Sequence, residues 1–363
     1  MKSLYIADVG DGLCMRLDTH FNRRILIDCG SGQGGKRAFD GFSRIFHYCS
    51  YYRNHFENPD IFILSHFHSD HYNGIFNMKE KSINLKDLYY PGIPEFKKKS
   101  ELMMAFLCMS ARVLGNDSET VETDFIKTMQ NISSEDFYKN PLYRGDNINI
   151  NGLRIDILWP PRELKCGKIT KAVERAIKDF EEAKKEDEPL DKIYSKIEES
   201  NKVSQYLSRE REYIKSKSNE RDSNTNNKKP SSHKELLGAV KIANESLRNV
   251  ANSLSLSFAI DDRFLFLGDL EKDKIGQVVS KLNLTKRNNF MFFITPHHGT
   301  HWDESLWKIR CKYALSSNGI SRIKKFKHEF KDISNFHFAT FTSGDIFIPI
   351  HCPYCLPPFF NEF

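Results

Sequence analysis

The chain has 363 residues, of which 39% are hydrophobic, 28% charged and 12% aromatic, and a net charge of +6 from 54 basic against 48 acidic side chains. That length holds a domain with a core of its own, no stretch approaches the roughly 20 apolar residues that span a bilayer, and the small positive excess permits an anionic partner without requiring one. Asp8 interrupts the first apolar run before it reaches the length of a secretory signal, which predicts a cytoplasmic protein whose cysteines, dispersed except for Cys352 and Cys355, are mostly free thiols.

In chain order, Leu4 to Val9 reads as a short strand closed by Gly10-Asp11-Gly12, and Cys14–Leu17 with Arg24–Gly30 reads as a hairpin. Gly30 to Gly35 is a loop, because it lacks the Gly-Lys-Ser/Thr ending of a phosphate cradle. Apolar spacing predicts a helix over Phe39–Phe56, a buried strand at Ile61–Leu64 and mostly helix between Lys97 and Lys139. Asn147 to Pro161 alternates around Asn151-Gly152, the clearest hairpin signal in the chain.

The segment 164–250 differs in character, being dense in Lys, Glu, Asp and Ser, with Val173, Ile177, Phe180, Ile193 and Ile197 at helical intervals. It reads as a helical hairpin, with Pro189 in the first turn of its second helix, followed by a flexible tether from Ser216 to His233. The whole is expected as an insertion within one domain spanning 1–363 and as a docking surface for a protein partner, with Lys168 to Ser232 removable without unfolding the rest. Strands resume at Leu254–Ile260, Phe264–Leu267 and Phe290–Ile294.

Chemistry concentrates where apolar runs end. After Ile61–Leu64, the segment Ser65 to His71 places His66, His68, Asp70 and His71 within six residues. Alternation along a short extended segment points His66 and His68 one way, while Asp70 and His71 turn toward a second position, so two adjacent metal sites fit. Asp269 follows Phe264–Gly268 and offers a carboxylate able to bridge two cations, and the pair His297-His298 follows Phe290–Ile294.

These segments in this order, together with Asp8-Val9-Gly10-Asp11-Gly12, Leu26 to Gly30, Asn252 to Leu256 and Thr342 to Ile346, resemble the metallo-β-lactamase fold. Within it they resemble the branch that contains the metal-dependent domain of ComEC competence proteins and the phosphorylcholine esterases. The resemblance implies an α/β chain in an αββα four-layer sandwich with a helical insertion. It also implies a first metal on His66 and His68, a second on Asp70 and His71, Asp269 bridging both, and Asp28 supporting from behind. His298 is favoured as the remaining ligand and His297 as the residue touching the substrate phosphate or leaving group, with the reverse assignment open; Asp70 and His297 are the expected catalytic residues. The family's usual further histidine is missing, since His233 is the only histidine between Tyr72 and Gly268. The expected cofactors are two divalent ions, zinc by default and manganese as the alternative.

Two such cations lower the pKa of a shared water and stabilise negative charge, so the expected activity is hydrolytic. The substrate is expected to be nucleic acid, cleaved as a phosphodiester. The basic run Ser321 to His328 reads either as a grip on a phosphate backbone or as a solvated helix face. The alternatives are hydrolysis of a small ester or phosphoester, of phosphorylcholine or nucleotide type, and an accessory or regulatory role in a multi-component system such as phage defence. Cys352 and Cys355 read as unrelated thiols or as half of a structural zinc site.

Overall fold

The computed structural model describes residues 1–47, 59–78, 87–96, 98–113, 141–150, 152–164, 167–210, 238–261 and 263–350. The continuation of the first helix to Phe56, the stretch 114–139, the tether with His233 and the Cys352/Cys355 pair lie outside the described residues.

The chain runs β1 (Ser3–Ile6), β2 (Cys14–Asp18), β3 (Arg24–Cys29), α1 (Gly35–His47), β4 (Ile61–Ile63), the one-turn helices α2 (Ser69–Tyr72) and α3 (Ile75–Met78), β5 (Asp87–Pro91), α4 (Lys99–Val113) and β6 (Pro141–Leu142). There follow β7 (Asn147–Ile150), β8 (Leu153–Trp159), α5 (Lys168–Glu186), α6 (Glu188–Glu210), α7 (Gly238–Ser253), β9 (Ser257–Ile260), β10 (Phe264–Phe266) and α8 (Lys272–Leu284). The remainder is β11 (Asn289–Ile294), β12 (Arg310–Ser316), β13 (Ser334–Ala339), α9 (Thr340–Ser343) and β14 (Ile346–Pro349), with 3-10 turns between β11 and β13.

The strands form two seven-stranded sheets, in the orders β14-β1-β2-β3-β4-β5-β6 and β13-β12-β11-β10-β9-β8-β7. Each is mixed: antiparallel through β14-β1-β2-β3 and β7-β8-β9-β10, parallel through β3-β4-β5-β6 and β10-β11-β12-β13. Because side chains alternate along a strand, each sheet has two apolar faces to bury. Ile25, Ile27, Ile61 and Ile63 of the first sheet share one cluster with Phe258, Phe264, Phe266 and Ile294 of the second. Leu26 and Phe62 point the other way and join α1 and α4 through Phe42, Phe46 and Phe106. Leu265 and Phe293, on the far face of the second sheet, meet Ile275, Val278 and Leu282 of α8. The hairpin at Asn151-Gly152 is present as β7–β8, with Ile150 opposite Leu153 and Gly152 at φ 83°.

One expectation changes. Leu254 does not begin a strand: its N–H donates to Val250 O at 3.0 Å, and it extends the buried stripe Val240, Ala243, Leu247 and Val250 of α7. The alternation of Leu254, Leu256 and Phe258 masks a helix stop, and the strand starts at Ser257. The described helices of 164–250 also pack into the body of the fold rather than standing apart from it. Val173, Ala176, Ile177 and Phe180 of α5, Leu190, Ile193 and Ile197 of α6, and α7 share the cluster that holds α4 against the first sheet. At the junction of α5 and α6, Asp187 accepts from Arg112 of α4 at 2.9 and 3.0 Å and from Leu190 N at 2.8 Å, so one buried carboxylate both caps α6 and ties it to α4.

Phe180→Ala is therefore expected to cost about 3–5 kcal/mol in urea unfolding, and deletion of 168–232 to unfold the chain. A Phe180→Ala cost below about 1 kcal/mol, within the range of surface substitutions, would return the segment to the status of an appendage.

Candidate metal centre

The parallel strands deliver the chemistry at their C-terminal ends, where open α/β sheets commonly bind ligands. β4 leads into Ser65 and His66, β3 into Asp28, β10 into Asp269, and β11 into His297 and His298. The loops from the two sheets are joined directly, Leu256 N donating to Ser65 O at 2.7 Å. Two glycines permit the approach. A Cβ on Gly30 would overlap the Asp70–His71 peptide, and one on Gly268, at φ 56°, would overlap Ser255 Oγ, the atom that accepts from Asp269 N at 3.0 Å.

His66, Asp70, His71, Asp269 and His298 are all at least 96% buried. Asp269 Oδ2 is the centre of the group, with the Nε2 atoms of His298, His71 and His66 at 3.3, 3.5 and 4.0 Å. None of those three Nε2 atoms makes a hydrogen bond. Their Nδ1 atoms are engaged instead. His71 Nδ1 donates to Asp28 Oδ2 at 2.7 Å, His298 Nδ1 donates to Ser317 O at 2.8 Å, and His66 Nδ1 lies 3.0 Å from Ser65 Oγ. With Nδ1–H donated outward, the Nε2 atoms of His71 and His298 face inward, the nitrogens left to ligate a metal. Two ligand groups, His66-His71-Asp269 and Asp70-His71-His298, have donor atoms within 4.8 Å of one another and share His71.

Backbone geometry serves the same end. Asp28 adopts φ 55°, which lets one carboxylate accept both His71 Nδ1 and Ser65 N, the latter at 2.6 Å. His297 and His298 are both left-handed, at φ 49° and 58°. Left-handed conformations cost non-glycine residues on the order of 1–2 kcal/mol each. The turn aims His298 Nε2 at Asp269 and sends His297 to its flank, with Nε2 3.9 Å from Asp269 Oδ2 and Nδ1 3.2 Å from His301 Nδ1.

His68 is placed apart from the others. Its Nδ1 lies 2.7 Å from Asp70 Oδ1, and it belongs to neither ligand group around Asp269. It borders a cavity of about 80 Å³ walled by Phe106 and Ser110 of α4 and by Asn244 and Arg248 of α7. Three further residues at the centre escaped the sequence reading. His301, four residues after His297, forms a third group with it and Glu271. Ser255 holds Asp269. Arg322, seen from sequence only as one cation in a basic run, donates from Nη2 to Asp70 Oδ2 at 3.2 Å. The run itself forms short 3-10 turns at Ile320–Lys325 and His328–Lys331 rather than a solvated α-helix.

Burial opposes charge throughout, and the pairing decides which groups keep it. Burial and the neighbouring His71 hold His66 well below the usual histidine range. Burial disfavours charge on His71 as well, but Asp269 and Asp28 outweigh it and raise His71 well above that range. Burial alone would raise the carboxyls of Asp70 and Asp269; His68, His71 and His298 around the first, and His298, His71 and His297 around the second, hold both well below the carboxylate range. Asp28, fully buried, is raised despite His71. Burial takes His297 down to about 3. The centre thus presents two ionised carboxylates and inward-facing imidazole nitrogens, a donor set that suits zinc or manganese once the proton on His71 is displaced.

No family model matches the chain, and no curated protein matches it significantly.

Asp28→Ala is expected to weaken zinc binding 10–100-fold, the usual effect of losing a group that orients a ligating histidine, as read by competition with a chromophoric chelator; unchanged affinity would remove Asp28 from that role. A cation must also displace the proton that the carboxylates hold on His71. Zinc uptake near neutral pH is therefore expected to release about one proton from His71 and to weaken as pH falls. Calorimetry in buffers of different ionisation enthalpy counts the protons, and a count of zero would contradict the assignment.

Proposed function

We propose that the chain is a metal-dependent hydrolase with the four-layer αββα metallo-β-lactamase fold, acting on phosphodiester bonds, with nucleic acid as the substrate class. The observation that carries this reading is the convergence of His66, His71 and His298 Nε2, without hydrogen bonds, on an ionised Asp269. Buried nitrogens left without partners are costly, and a divalent cation satisfies several of them at once. Two seven-stranded sheets with a shared core and helices on their outer faces support the fold assignment.

The residues present fit two cations. Asp70, His71 and His298 would hold one, and His66 with Asp269 the other, with Asp269 as the carboxylate that would be shared. His68 Nδ1 would ligate a cation only by giving up its contact with Asp70. Bound metals of this kind supply an activated water and a counter-charge for a developing oxyanion. The chain's own groups do the rest. Asp28 and Ser317 O fix the imidazole tautomers. His297, neutral and with Nε2 on the flank of Asp269, is the side chain placed to meet a leaving-group oxygen.

A small phosphoester is the second reading, favoured because among the described residues Arg322 is the one Lys or Arg seen against Asp70, while Lys324 and Lys325 stay exposed.

Purified protein is expected to carry up to two zinc or manganese ions by mass spectrometry and to cleave bis-p-nitrophenyl phosphate and at least one of single-stranded DNA, double-stranded DNA or RNA. Asp269→Ala is expected to remove both ions and to lower activity on the order of 100-fold or more. Two tightly bound ions in that variant would refute the bridging role. A metal-loaded protein that cleaves the small diester but none of the polymers would move the substrate to the second reading.

A further inference from the structure

The basic run from Arg322 to Lys327 divides into one side chain that faces the metal centre and others that do not. Lys324 and Lys325 are exposed, Phe326 is buried and stacks on His337 with ring centroids 5.2 Å apart, and Lys327 N donates to Gly299 O at 2.9 Å. Arg322 turns inward, its side chain 18% exposed, with Nη2 3.2 Å from Asp70 Oδ2 and Nε 3.5 Å from Asp11 Oδ1.

Asp11 is what holds it there. Its carboxylate accepts from Gly319 N at 3.1 Å, from Gln33 Nε2 at 3.2 Å and from Ser321 Oγ. One carboxylate from the first glycine-rich loop, itself held by Gln33, therefore pins the segment 319–322 at Gly319 N and Ser321 Oγ before it meets the guanidinium. A flexible surface arginine loses considerable side-chain entropy on binding an anion; this one is already ordered.

Asp70 is also a member of a metal ligand group. A carboxylate that ligates a cation shares its charge with that cation and holds a neighbouring guanidinium less strongly. Of the five N–H donors of Arg322, those on Nη1 have no partner among the described residues. We infer that Arg322, braced by Asp11, is the anion-recognition group of the centre and binds a non-bridging oxygen of a phosphoryl group, so that the site selects substrates with an anionic phosphoryl over neutral esters. This rests on the metallohydrolase reading for the place of the metals, and it assigns the exposed lysines no part in phosphoryl recognition.

The test uses desalted, zinc-loaded full-length protein, with metal content by mass spectrometry and inorganic phosphate binding by calorimetry. Arg322→Gln is expected to keep the wild-type metal count and to weaken phosphate binding at least about tenfold, the scale of a lost charge-assisted hydrogen bond. Arg322→Lys is expected to recover part of that loss, and the double variant Lys324→Gln/Lys325→Gln to bind phosphate as wild type does. Asp11→Asn is expected to weaken phosphate binding with the metal count intact; unchanged affinity there removes Asp11 from the assignment. The inference is overturned if Arg322→Gln binds phosphate as tightly as wild type, if it loses metal, which would make Arg322 a structural partner of Asp70, if the lysine variant loses as much affinity, or if the wild type binds no phosphate. Absence of zinc in the wild type would sink the metallohydrolase reading instead, and the same phosphate titration would still decide the role of Arg322.

Discussion

Three buried imidazole nitrogens aimed at one carboxylate oxygen, none of them in a hydrogen bond, are the constraint on which the arrangement depends. Each such nitrogen costs about 1–3 kcal/mol in the absence of a partner. The fold tolerates that cost because each imidazole is fixed from behind: His71 by Asp28, His298 by the Ser317 carbonyl and His66 by Ser65. Turning any one of them out to find a partner would break the bond on its other side. The sheets contribute by being short on the relevant edge. β4 and β10 are only three residues long, and each ends in the loop that carries ligating side chains.

Much of this centre was legible in the sequence because an apolar run that stops at a histidine or aspartate marks a strand end that delivers a polar group. His66, Asp70, His71, Asp269 and His298 were all found that way. What alternation could not supply was direction after the strand. His68 was expected to point with His66, but α2 starts at Ser69 and the backbone turns, leaving His68 against Asp70. Arg322 could not be separated from its neighbouring lysines, because its selection depends on Asp11, more than 300 residues earlier. The segment 164–250 was legible only in part. Its charged composition describes the outer faces of α5 and α6 and says little about the stripe that α4 covers.

That packing changes what the helices are for. α7 belongs to the charged segment by sequence, yet Asn244 and Arg248 wall the cavity beside His68, and the same helix ends three residues before β9. Since α5 packs closely on α7, a shift in the α5–α7 layer would be felt in the wall of the site. The helices are thus part of the frame of the centre.

The first sheet is closed by β14, whose Pro349 pairs with Ser3 of β1, while Asp345 accepts from Asp8 N and Arg44 Nε, each at 2.7 Å. At a synthesis rate of roughly 5–20 residues per second, the strand that covers the outer edge of β1 emerges on the order of 20–70 s after β1 itself. Throughout that interval β1, Ser3-Leu4-Tyr5-Ile6, presents an open hydrogen-bonding edge to other chains. An edge left open that long is a template for pairing with other chains, and β14 is the strand that removes it from the outer side of β1.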